Sequence, residues 1–331
     1  MSAQPNLKPA PERPPVVKKR HLIWRVLPYA VTAVIFAFIL YHIPLAKAGT
    51  AFLHVPILEF IGVFFPLSLI YLLADTLSLK WVVQRFDCPI SFSEALPIRA
   101  SMYLAGLVNS NLGFAGLAYY LKRKHHVNFL QGLSSVLFIA FVDVYTIFLF
   151  AGPALLFYTP ETSKLADVIS TMRLVFAAGW AFLIALIVIA FLARRNLAIS
   201  NWIKHTRIGK FTGSFLKATP LDYAVLLIIK SIAFACALAA QYWTLVFYGI
   251  TIPVAKLVAL LPLVYLAGAI PITIGQLGPI EGAWIVLFAA NAPADKLLAY
   301  SLAIHLIFMA CLAAIGFVFF RHAKRDLGWS K

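Results

Sequence analysis

Apolar runs long enough to cross a bilayer recur along this chain, at about 24–45, 57–80, 132–157, 172–193, 221–248 and 297–320. One crossing takes about 20 predominantly apolar residues. Runs repeated at that length cannot share one soluble core, so the chain is expected to be an all-α polytopic membrane protein. Hydrophobic residues make up 62% of it and charged residues 12%. With no soluble domain expected, any activity belongs in or at the bilayer. The net charge of +16 does not indicate nucleic acid, because the basic residues lie mostly between the apolar runs. There they orient the chain and meet anionic headgroups. Cys88, Cys236 and Cys311 are too far apart in sequence to form a ligand or redox motif. No metal, cofactor or catalytic residue is expected.

Residues 1–20 combine Pro5, Pro9, Pro11, Pro14 and Pro15 with Lys8, Arg13, Lys18, Lys19 and Arg20. That composition reads as a disordered basic tail over 1–23. The run after it opens on Trp24, an interface anchor, and lacks a small-residue cleavage site, so it is expected to stay as a span. Residues 24–320 form the expected transmembrane domain, and 321–331 a second basic tail.

Two further apolar regions are interrupted. Residues 95–121 are broken at Asn109-Ser-Asn-Leu-Gly113, and 256–292 at Pro271, Gly275, Gly278, Pro279 and Glu281. Broken backbone at membrane depth must be buried in protein or line a cavity. If both regions dip in and return, from opposite sides, six full spans remain. One face then carries 22 Lys and Arg and the other 5, with Lys230 inside a span. If 95–121 crossed instead, Lys122–Lys124 and the basic 194–217 segment would move outside. The positive-inside rule favours two re-entrant hairpins with both termini cytoplasmic. Trp202, Ile203, Ile208, Phe211 and Phe215 suit the basic segment to the membrane surface.

The hairpins also share a pattern. Tyr103-Leu-Ala-Gly106 recurs as Tyr265-Leu-Ala-Gly268, Asn111-Leu-Gly113 is echoed by Gln276-Leu-Gly278, and Gly116 by Gly282. Halves of about 24–158 and 172–320, each with three crossings, form an inverted repeat. Interrupted segments in corresponding places mark the central site of such a fold.

The candidate path residues follow from this. Glu281 is an acid at the start of a helix, where amides stabilise it or a bound anion; the alternative is a carboxylate satisfied locally. Lys230 offers a partner for Glu281 or a lipid phosphate, or else snorkels or pairs structurally. Asp143 is either a path residue or a buried hydrogen-bonding group between helices. His305 has the side chain that titrates near neutrality, or is a packed histidine. Asn109, Ser110, Asn111, Thr273 and Gln276 bring uncharged polar groups to the tips, or satisfy broken backbone. Pro271, Gly275, Gly278, Gly282 and Gly113 shape those tips, although Gly278 and Gly282 also have the spacing of a helix-packing face. Lys122, Arg123 and Lys124 set topology and contact headgroups.

The stretch Pro271-Ile-Thr-Ile-Gly-Gln-Leu-Gly-Pro-Ile-Glu281-Gly282 resembles the late motif of the transmembrane, flippase-like domain of the lysylphosphatidylglycerol synthase family. The resemblance covers about 25–320. The chain departs from it at Ile280, where the family has arginine, at Phe114 and Leu117, and at Ile139-Ala140 before Asp143. A carboxylate–arginine network across the hairpins is therefore expected to be largely missing. The family's aminoacyl-transfer domain has no counterpart here, so no enzyme activity is expected. The resemblance implies a lipid translocase of the bacterial cytoplasmic (inner) membrane, acting on a phospholipid or another charged-headgroup lipid. An accessory subunit of envelope lipid or glycan assembly and a small-solute transporter are the alternatives. Expected partners are membrane lipids, with a second copy or an envelope-synthesis protein as further options.

Overall fold

The computed structural model describes residues 53–195, 206–269 and 273–326, together with Thr50. Among these residues the protein is all helical, with ten α-helices, a 3-10 turn at Ile274–Gln276 and no strand. The helices are α1 (Ile57–Phe86), α2 (Phe92–Val108), α3 (Ser110–His125), α4 (Phe129–Phe157) and α5 (Ser163–Arg195). They continue as α6 (Arg207–Lys217), α7 (Pro220–Phe247), α8 (Val254–Gly268), α9 (Pro279–Leu287) and α10 (Ala294–Asp326). Five of them, α1, α4, α5, α7 and α10, are long and apolar enough to cross a membrane. They correspond to five of the expected spans, and the chain is a multi-pass membrane protein. The expected span 24–45 with Trp24, the tail 1–23, Pro271 and residues 327–331 lie outside the described residues.

The helices overrun the apolar stretches that predict them. α1 continues past Lys80 to Phe86, and α5 starts at Ser163, so Lys164 and Asp167 lie in the helix rather than in a link. Hydropathy reads the lipid-facing length, whereas backbone hydrogen bonding continues as long as polar side chains at the ends reach water. The basic segment holds the amphipathic helix α6, whose start is capped by the Thr206 hydroxyl. α6 lays Gly209, Gly213 and Ser214 against α4 and leaves Ile208 and Phe211 exposed. The Ser214 hydroxyl sits 2.9 Å from that of Ser135, and its amide donates to Ser134 Oγ. Small residues permit this close approach.

Contacts between helix ends fix where the short pairs enter. Arg85 at the end of α1 pairs with Asp222 at the start of α7, while Phe60 near the start of α1 packs on Tyr248 after α7. α1 and α7 therefore run antiparallel. Gln131 at the start of α4 donates to the Phe86 carbonyl, so α2 and α3 leave and return at the same end of the bundle. Lys296 at the start of α10 donates to the Gly249 carbonyl, so α8 and α9 do the same at the opposite end. Helix starts at 57, 92 and 129 recur at 220, 254 and 294.

The two pairs turn differently. Between α2 and α3 only Asn109 leaves the helical conformation; it is extended, with φ −161°, and its side-chain oxygen accepts from the Asn111 amide at 2.8 Å. That bond caps α3. Gly113 lets the pair close, since a Cβ there would sit 3.3 Å from the Met102 carbonyl oxygen. The second turn takes more chain. α8 stops at Gly268, and α9 begins only at Pro279, a residue suited to the first helical position. Gly275 (φ 55°), Gln276 (φ 64°) and Gly278 (φ 99°) all have left-handed backbone there.

Candidate functional site

The two pairs meet at a cavity of about 330 Å³. Gly106, Leu107 and Asn109 reach it from the first pair, and Thr273, Gly275 and Gln276 from the second. The spans contribute Tyr71 from α1, Gln241 from α7 and His305 from α10, set among Phe64, Trp284, Phe308 and Met309. The wall is therefore mostly apolar with a few convergent polar groups, the usual build of a small-molecule site. Thr273 Oγ1 is buried without a hydrogen-bond partner among the described residues. Tyr300 donates to Gln241 Oε1 at 2.7 Å, and Gln241 Nε2 donates to the Tyr265 hydroxyl at 3.3 Å.

Glu281 lies behind this wall, fully buried. Its Oε2 accepts from the Gly278 amide at 2.6 Å, and its Oε1 is 2.8 Å from His305 Nδ1. One carboxylate thus ties the start of α9 to α10. Since the imidazole is part of the cavity wall, it stands between the cavity and the acid.

A second cluster is centred on Asp75, in the body of α1. Asp75 Oδ2 accepts from Arg99 Nη2 at 2.5 Å, Arg99 Nε at 3.2 Å and the Tyr103 hydroxyl at 2.7 Å. Its Oδ1 accepts from Lys230 Nζ at 2.6 Å. Lys230 is also 2.7 Å from Asp143, whose side chain keeps 48% of its exposure. Two carboxylates and two cations thereby link α1, α2, α4 and α7. Tyr103 and Tyr71 are in the cavity wall, so the cluster touches the cavity through phenols.

These contacts bear on two expectations. A carboxylate–arginine pair is present in Asp75 and Arg99, but it joins α1 to α2 and does not bridge the two hairpins. Lys230 does not meet Glu281; it meets Asp75 and Asp143, and Glu281 meets His305. Arg99, counted above with the loop charges, belongs to this cluster.

The other candidates divide in two. Asn109, Thr273, Gly275 and Gln276 are in the cavity wall. Asn111 and Gly113 shape the first turn from outside it, and Gly278 the second. Gly282 serves no close packing among the described residues, because a Cβ there would meet none of them within 4 Å. Lys124 pairs with Glu94 at 3.0 Å, which clasps the base of the first pair, and Lys122 and Arg123 are exposed beside it. None of these three touches the cavity wall. Asp143 and His305 share one register of the repeat: the spacing between them equals that between Tyr103 and Tyr265. Each meets an ionisable partner, Lys230 or Glu281.

Asp75, Arg99, Tyr71, Gln241 and Tyr300 are absent from the candidates read from sequence. Asp75 was open to the rule that singled out Asp143 and Lys230, that an ionisable residue within an apolar run marks a site. The others carry no local signal.

Compared with known families, the chain matches the one described as Lysylphosphatidylglycerol synthase TM region over residues 25–316. No curated protein matches it.

Proposed function

Because the chain belongs to the lysylphosphatidylglycerol synthase TM region family, we propose that it moves a charged-headgroup lipid between the leaflets of a bacterial cytoplasmic membrane. The observation that carries this reading is the cavity of about 330 Å³ bounded by the tips of both short helix pairs. It suits a polar headgroup, while acyl chains stay in the lipid around the spans. The pairs enter from opposite ends of the bundle, and corresponding helices start at matching intervals. These features support two re-entrant hairpins in an inverted repeat, completed by a sixth span at 24–45. Such a fold can alternate access around a fixed centre. With Arg99 and Lys230 set aside in the cluster, the 21-to-5 split of Lys and Arg supports cytoplasmic termini.

On this reading the protein is a carrier. It makes and breaks no bond, and it does not hydrolyse ATP. Glu281, His305, Gln276, Thr273 and Asn109 meet the headgroup or control its path, and the Asp75 cluster braces the frame.

The test is leaflet-specific quenching of labelled lipids in vesicles across a panel of headgroups, with Glu281→Gln as control. The expected result is movement well above that in protein-free vesicles. The reading fails if no lipid in the panel moves faster, and more so if a soluble solute enters instead. Topology has its own test. Cysteines replacing Lys124 and His205 should label only from the cytoplasm, and one replacing Lys164 only from outside. Labelling of the first two from opposite sides would rule out the first hairpin.

A further inference from the structure

We propose that Glu281 and His305 form a proton-binding site, and that proton entry there drives the lipid movement proposed above, on which the coupling rests. Three observations lead to it. Glu281 is fully buried, and among the described residues its side-chain contacts are an imidazole and a backbone amide, with no permanent cation. Imidazole is the side chain whose ordinary titration falls between about pH 5 and 8. Its Nδ1 faces Glu281, so a proton arriving from the cavity is taken at Nε2 and gives an imidazolium beside the carboxylate.

The surroundings leave that exchange to the pair. The groups that share the cavity with His305 are Tyr71 from α1, Tyr103 from α2, Gln241 from α7 and Tyr265 from α8, all uncharged at neutral pH. The cations Arg99 and Lys230 are held by Asp75 and Asp143. Buried acids and histidines in spans commonly act as proton relays.

The third observation couples the site to motion. Glu281 Oε2 holds the Gly278 amide at the end of the broken segment, where three residues have left-handed backbone. The carboxylate paired with the proton-accepting imidazole therefore also holds the turn that bounds the cavity. A change in charge on the pair alters both contacts of one carboxylate. It thereby favours one arrangement of the α8–α9 tip over another.

The test uses the full-length protein in phosphatidylglycerol-containing vesicles, with labelled phosphatidylglycerol as cargo and a pH dye inside. The membrane potential is clamped and a gradient of about one pH unit imposed. One proton per lipid then supports up to about tenfold enrichment of the label in one leaflet. Proton entry should accompany it, and both should vanish in His305→Gln. If the label moves but only equalises between leaflets, with no proton entry, the coupling is overturned. A second measurement reads the site without transport. Infrared difference spectra of the detergent-solubilised protein between about pH 5 and 8 should contain imidazole and carboxylate changes. These changes should be missing from the Glu281→Gln/His305→Gln double variant. Their absence from the unsubstituted protein overturns the proton site. Spectral changes without any lipid movement would retain the proton site and reject the translocase reading.

Discussion

Asp75 and Glu281 are both carboxylates buried beside the same cavity, but their partners differ in kind. Asp75 receives an arginine, a lysine and a phenol, and its lysine also reaches a second acid. Glu281 receives one backbone amide and one imidazole. The first set matches two carboxylates with two cations and ties together four helices. The second matches one acid with an imidazole, and it ties a helix start to a neighbouring span. A brace and a latch thus adjoin one cavity, through Tyr71 and Tyr103 and through His305, and they should respond differently to substitution.

The largest effect is expected from Lys230→Met, which leaves Asp75 and Asp143 in the membrane without their shared cation. Removing one partner of a buried ion pair costs about 3–5 kcal/mol. The yield of folded protein and its thermal midpoint should fall sharply, and adding Asp143→Asn should recover part of the loss. A Lys230→Met protein as stable as the parent would remove the brace from the comparison.

Gly278→Leu should come next and damage both stability and activity. Its φ of 99° is a backbone region that residues with a Cβ rarely enter. Strain of that kind costs about 1–3 kcal/mol. Unaltered thermal stability would mean that the turn adapts freely and is not held by its glycines.

Glu281→Gln separates the clusters most cleanly. The amide can still accept the Gly278 bond, so the protein should insert and lose no more than about 1–2 kcal/mol, the range of a helix cap. Lipid movement should fall at least about tenfold, equivalent to 1.4 kcal/mol in the barrier. Full activity in a stably expressed variant would make Glu281 a helix-start residue with no part in the path.

Two small effects complete the series. Asn109→Ala removes the cap of the first turn and should cost about 1 kcal/mol. Gly282→Ala should be neutral or stabilising by up to about 1 kcal/mol, since its added methyl meets nothing and helix propensity improves. A marked loss in Gly282→Ala would point to a close neighbour in another state of the protein.

Much of the fold was legible because the bilayer imposes a length on every span and a penalty on every break. The spans at 57–80, 132–157 and 221–248, and the interruption at Asn109, could be read on those grounds alone. Helix ends could not, because Phe86 and Ser163 lie where polar side chains simply reach water. The site was legible in its broken backbone, from Gly275 to Glu281, and illegible in its pairings. Asp75 meets Arg99 from the next helix and Lys230 from far along the chain. Neither contact leaves a periodicity or a motif. Lys230 and Glu281 looked like natural partners by charge, but packing gave each a different one.

The balance of the Asp75 cluster has an electrical consequence. With both acids ionised and both bases protonated, Asp75, Asp143, Arg99 and Lys230 sum to zero. Across a membrane potential, each elementary charge carried through the full field exchanges about 2.3 kcal/mol per 100 mV. A neutral brace that moves as one body exchanges almost none of it. Any current or voltage dependence measured with this protein would therefore come from charges outside this cluster, with a charged cargo and the Glu281–His305 pair among them.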